Sequence, residues 1–343
     1  MPRRVVAVFS ILLMLSLNGC VSPRRTVSIS SGGGGTGQLY VSDQGGSAIL
    51  RFSGATRATG NIAPAANISG ASTQISNPQY IFVDSAANRL YVANLNGSNI
   101  LVFEKVSTLN GNQAPSRVLT SASLATPIDL TVDTSKDLLY VADNSKVAVF
   151  TGASTANGSL VAVRTIQLTF TPIAILLDQS NDRLFVVNNT GNAVDVFDGA
   201  STLNGTVTPN RTLSGTNTQL NQPAGVRIDG AGRLIVSNAG SSPSITIYNN
   251  AATITGNVAP TAVISGSNTT LNTPAQLALD STTNAGELYV ADPTGGNVSV
   301  FSNITTLTGN QNIAPSRNIS GSATLLTGTG TTTARGVALD TTR

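Results

Sequence analysis

The chain contains no histidine among its 343 residues. That one absence removes Ser-His-Asp and Cys-His nucleophilic arrangements, histidine metal sites and imidazole acid–base catalysis. Any remaining chemistry must come from carboxylates, amides and guanidinium groups, and their spacing is regular. Asp43, Asn94, Asp143, Asn188, Asn238 and Asp292 recur at intervals of 45 to 54 residues, and Asp84, Asp133, Asp178, Asp229 and Asp280 form a second such series. Oxygen ligands of this kind can hold a divalent cation. They can equally cap turns by accepting hydrogen bonds from backbone amides two residues on, and a group present in every copy of a repeat reads as structural. There are just two glutamates, Glu104 and Glu287. No cofactor or catalytic metal is expected, and a structural Ca²⁺ is the one ion the donors leave open. Departures from the repeat carry more information. Asp129 and Arg227 stand where most copies have small or apolar residues, with Tyr80, Gln276 and Arg335 nearby in register. An ionised group on an inner element is costly unless paired or wet. The two are therefore a ligand contact, a structural salt bridge plugging the channel, or two separately solvated ends.

These five residues become neighbours only if their elements form a ring. A strand signature occurs six times: "LYVSD" at Leu39, "LYVAN" at Leu90, "LYVAD" at Leu139, "LFVVN" at Leu184, "LIVSN" at Leu234 and "LYVAD" at Leu288. A segment ending in Asp precedes it, a strand such as "ILVF" or "VSVF" follows, and a fourth such as "RTLSG" or "AVISG" completes the unit. Four short strands per ~50 residues is the arithmetic of a propeller blade. We label them a to d. Pro78, Pro127, Pro172, Pro223 and Pro274 each precede the last Asp of strand a by six residues. Proline lacks the donor that a ladder needs, so it fits the start of a strand. Third and fifth residues after the proline are aliphatic in every copy and must face the core; second and fourth vary, as expected beside a channel. The first unit lacks strand a, and "GVALD" near the C-terminus is a strand a without a unit. Pairing the two closes an all-β, six-bladed β-propeller with four antiparallel strands per blade over residues 39–343.

The first nineteen residues have a basic start and then an apolar run over residues 5–17, too short to span a bilayer, which reads as a secretory signal. Leu17-Asn18-Gly19-Cys20 resembles the lipobox of bacterial lipoproteins, which implies cleavage before Cys20 and lipidation of this single cysteine. Residues 20–38 read as a flexible Gly/Ser tether of roughly 20 Å reach. The expected location is extracytoplasmic, membrane-anchored through Cys20. In Gram-negative lipoproteins, a residue other than Asp after the cysteine, here Val21, implies outer-membrane sorting.

The strand patterns "LYVAD", "VALD" and "VF" resemble NHL-type repeats and the wider six-bladed superfamily that contains lactonases and streptogramin lyases. Streptogramin lyases use a catalytic histidine, which is absent here. Lactonase-type propellers hold a divalent cation with acidic and amide side chains, which keeps a metal-dependent hydrolase as the alternative. The formal charge of +3 includes Arg3, Arg4, Arg24 and Arg25; without them the repeats carry about −1, which lacks the basic footprint of nucleic-acid binding. There is no tryptophan to stack sugar rings. The leading expectation is a non-enzymatic interaction module or scaffold for a protein or peptide partner, with Asp129, Arg227, Gln276, Tyr80 and Arg335 lining its channel.

Overall fold

The computed structural model describes residues 35–282, 286–326 and 333–343. The expected signal peptide, Cys20 and most of the tether lie outside them. The described residues form six sheets. Strand b explains why they pack as they do. In "LYVAN", Leu90 and Val92 face the core shared with the preceding blade, while Tyr91 and Ala93 face the core shared with the next. Both faces are buried, so alternation disappears and the strand reads as a continuous apolar run. The same division places Leu39 and Val41 against blade 6 and Tyr40 against blade 2. The core is thus six apolar layers, each between two neighbouring blades.

The ring closes as the two chain ends require. Ala334–Asp340 is strand a of blade 1 and pairs antiparallel with Gln38–Asp43, Leu39 opposite Leu339 and Val41 opposite Val337. Arg343 ties this end down through Asp340 at 2.7 Å and the Ser85 carbonyl at 2.6 Å.

Prolines do begin strand a in blades 2 to 5, pairing with the residue that ends strand b: Pro78 with Asn94, Pro127 with Asp143, Pro172 with Asn188, Pro223 with Asn238. A register shift follows each proline directly. Such bulges re-aim side chains, and here they accompany the second residue after proline, which lies at the channel. In blade 6 the ladder named as strand a starts only at Leu277, after Ala275 and Gln276 have bonded to Ala291.

The blades differ from the expectation of four strands. Three sheets carry a fifth, parallel strand contributed by the loop between strands c and d of the next blade: Gly158–Ser159, Gly205–Thr206 and Gly309–Gln311. In the other three, single bridges or hydrogen bonds at Gly60, Gly111 and Gly256 do the same. All six glycines have φ between 65° and 79°, a region costly for other residues, which explains the glycine recurring in these loops after Asn or Thr. Among the described residues every outer strand is therefore strapped by its neighbour, and none leaves a long free edge for another chain to extend.

Candidate ligand site in the central channel

Strand a is the inner edge of each sheet, so its inward N–H groups have no ladder partner and need one from elsewhere. Asp129 and Gln276 supply it. The Asp129 carboxylate accepts from the Leu130 amide of its own blade and the Ile175 amide of blade 4, each at 2.8 Å. Gln276 reaches across from blade 6: its Oε1 accepts from the amides of Ile81 at 3.1 Å and Val337 at 2.9 Å, and its Nε2 donates to the Ile81 carbonyl at 3.0 Å. The two side chains meet, Nε2 to Oδ1 at 3.5 Å. Tyr80 of blade 2 spans the ring to donate to the Ala224 carbonyl of blade 5 at 2.7 Å. Room for this layer comes from Gly225 and Gly336, where a Cβ would strike the Ala275 carbonyl or the Gln79 carbonyl and Gln276 side chain. Asp129, Gln276 and Tyr80 are all buried. They form a polar plug stitched to all six blades.

Charge is distributed around that plug without a direct ion pair. Asp129 and Arg227 have no contact within 4.0 Å; the Arg227 guanidinium donates from Nη1 to its own neighbour, the Val226 carbonyl, at 2.8 Å. The salt bridge weighed from the sequence is therefore absent, and the plug is held by hydrogen bonds to the backbone. Burial pushes the Asp129 carboxyl up to about 7, against the opposing pull of the Ile175 amide, the Arg227 charge and the Leu130 amide. Burial likewise lowers the proton affinity of Arg227, opposed by the charge on Asp129, and raises the Tyr80 hydroxyl to about 12. Arg335 sits on the ring of Tyr80, 5.5 Å from its centroid, a cation–π contact. All five channel residues singled out from the sequence thus belong to one cluster, with Arg227 on its edge.

Next to the plug, toward the turns joining strands a and b, the channel widens into a cavity of about 380 Å³. Its walls are the fourth and fifth residues of strand a, among them Phe82, Val132, Leu176, Leu279 and Leu339, with Arg227 in the lining. A second hollow of about 800 Å³ adjoins it between blades 4 and 5 and shares Leu176, Leu177, Gln179 and Ile228. Its cause is local. The a–b turn of blade 5, Asp229-Gly230-Ala231-Gly232-Arg233, is one residue shorter than Asp84 to Arg89 in blade 2 and carries two glycines. Sequence reasoning placed five polar and charged residues at the channel and missed this wall of apolar side chains. Its signal was present: apolar residues such as Phe82 and Leu176 stand at channel-facing positions.

Most of the Asx residues accept from backbone amides, while Asp43 Oδ1 and Asp280 Oδ2 are buried without a partner. Asp133, Asp229 and Asp280 accept from amides two residues on and cap the a–b turns as expected, and Asp340 accepts likewise from Thr342 after the last strand. The residues ending strand b do more than cap their own turns. Asp143 binds the amides of Ala125 and Thr126, and Asp292 those of Asn272 and Thr273, holding the loop that brings the chain into the blade. Glu104 and Glu287 are paired with Arg89, Arg117 and Arg317. Among the described residues no three acidic or cysteine side chains converge as a metal cluster would require. The channel's acid and amide, Asp129 and Gln276, fit a cation in type, but their oxygens are already committed to backbone amides.

No protein-family model and no curated protein matches the chain. Solved structures do. A chain of a nidogen/laminin complex superposes with a TM-score of 0.58 at 14% identity, covering 89% of this chain and 98% of that one. A 6-phosphogluconolactonase candidate from Bacteroides uniformis gives 0.53 at 14%, covering 79% of each chain. Kuenenia stuttgartiensis hydrazine synthase gives 0.51 at 15%, covering 77% and 72%. The likeness is one of fold.

Proposed function

We propose that the protein is a non-enzymatic binding module, tethered to an extracytoplasmic membrane surface, whose working site is the channel cavity on the a–b face. One observation carries this reading: residues from strand a of all six blades line an open hollow in which aliphatic side chains and polar groups are both exposed, and whose inner end is closed by the polar plug. Apolar surface left open to water costs ~25 cal/mol per Å², and cavities of roughly 300–1,000 Å³ with few polar groups are the usual shape of ligand sites. Hydrolysis is less well supported, because the chain has no histidine and Asp129 spends both oxygens on amides. A protein or peptide partner would engage the same mouth by inserting an apolar group, since the strapped outer edges discourage strand addition.

Ligand-observed NMR with a diverse set of small apolar fragments tests the site. Leu176 is half-buried on the shared wall, so Leu176→Trp should fill the hollow without unfolding the ring. Fragments are expected to bind the parent chain and to lose binding in the variant. A set that binds both equally, or neither, removes the channel as the working site.

The tether rests on Leu17-Asn18-Gly19-Cys20. Expressed in a bacterial host fed an alkyne fatty acid, the chain should be labelled and sediment with membranes, whereas Cys20→Ser should be unlabelled and remain in the soluble fraction. Equal labelling of the two would exclude Cys20 as the anchor.

A further inference from the structure

The unpaired guanidinium in the cavity points to a ligand class. We infer that the channel binds an anionic amphiphile, a carboxylate on Arg227 with an apolar tail lying along the channel wall at Leu176, Leu177 and Ile228. This rests on the binding-module reading above and narrows it.

Arg227 is the one charged residue in the cavity lining, among Thr, Ser, Gln and apolar side chains. Arg89, Arg117, Arg183, Arg211, Arg233, Arg317 and Arg343 have a carboxylate within 4.0 Å, whereas Arg51, Arg57, Arg164 and Arg335 have none but stand outside this cavity's lining. Arg227 is half-buried and has none. Its single hydrogen bond, to the Val226 carbonyl, uses one of five N–H donors. A guanidinium only partly exposed to water and without an anion has donors free for a ligand, and its planar fork matches a carboxylate bidentately. The nearest acid cannot fill that role, since Asp129 is held on the far side by the Leu130 and Ile175 amides. Walls of Phe82, Leu130, Val132 and Leu279 offer a sugar phosphate little to bond but suit an alkyl chain. The way out is set by blade 5, which also carries Arg227: its short turn leaves Gly230 facing open space over Ala251 and Ala252, and the polar rim of Asp178, Ser180, Asn181 and Asp229 marks where the apolar wall ends.

The groups facing Asp129 are Arg227, Tyr80 and Gln276, with Arg335 beyond the Tyr80 ring. An anion on Arg227 is repelled by ionised Asp129 and tolerated by its neutral form. Binding should therefore weaken as pH rises from 6 to 8 through the Asp129 titration near 7, and Asp129→Asn should flatten that dependence.

Calorimetric titration of the full chain carrying Cys20→Ser, with decanoate, decanol and decyltrimethylammonium as probes, tests the assignment. Decanoate should bind about tenfold or more tightly than either of the others. Arg227→Gln should lose that preference while melting within a few degrees of the parent, and Arg227→Lys should keep part of it. Decanol or the ammonium binding as well as decanoate, or Arg227→Gln binding decanoate undiminished, would overturn the anionic head group. If apolar fragments occupy the channel but decanoate does not, the ligand class fails and the binding-module reading survives. If no fragment binds either, both fall.

Discussion

Asp129→Ala should destabilise the ring by about 2–6 kcal/mol, because it leaves the amides of Leu130 and Ile175 buried without an acceptor, each at a cost of roughly 1–3 kcal/mol. The pH dependence separates this side chain from the rest of the molecule. Its carboxyl titrates near 7 in the folded chain and near 3.8 when unfolded. The folded state therefore holds that proton more tightly, so the stability it contributes is fully present below pH 3.8 and is lost as pH rises to about 7, a difference on the order of 4 kcal/mol. Carboxylates with lowered values act oppositely. Asp198, held down to about 2 by hydrogen bonds from Arg211 and Arg183, contributes stability above pH 3.8 that is lost as pH falls toward 2. Urea denaturation from pH 4 to 8 should show the parent losing stability toward neutral pH and Asp129→Asn losing much less. Parallel curves for the two proteins would mean that Asp129 is not buried in the plug.

Ending the chain at Thr333 should abolish cooperative folding. The truncation removes strand a of blade 1, leaves the ladder edge of Gln38–Asp43 open, and strips Val337 from the layer between blades 1 and 6 and Ala338 from that between blades 1 and 2. It also orphans Gln276 Oε1 from the Val337 amide. An open, flat strand edge beside exposed apolar faces is a template for aggregation. Val337→Ala, which keeps the ladder, should cost only ~2 kcal/mol from lost burial and the cavity left behind. Calorimetry should show one sharp transition for the parent and for Val337→Ala but none for the truncated chain, and a peptide of residues 334–343 added in trans should restore part of it. A truncated chain that melts sharply at the parental temperature would show that closure contributes nothing.

Strand order, blade number and closure were legible because they depend on local rules. Proline starts strand a, an aspartate ends it two residues before an amide it can cap, and Leu-Tyr-Val places side chains on alternate faces. Each works within ~50 residues and is repeated, so each copy checks the others. The straps were not legible, since segments as short as Gly158–Ser159 become strands only through parallel pairing with Leu119 and Thr120 of the preceding blade. Asp129 and Arg227 could be singled out as charges out of place, but their relation could not be derived. Which atoms answer the free amides depends on groups far apart in the chain, as Gln276 and Ile81 are, 195 residues away. The side on which the channel opens likewise follows from six strands converging and from one turn shortened in blade 5. Periodicity encodes what each segment does with its neighbours in sequence, whereas the contents of a ring's centre are set by residues that meet only once the ring has closed.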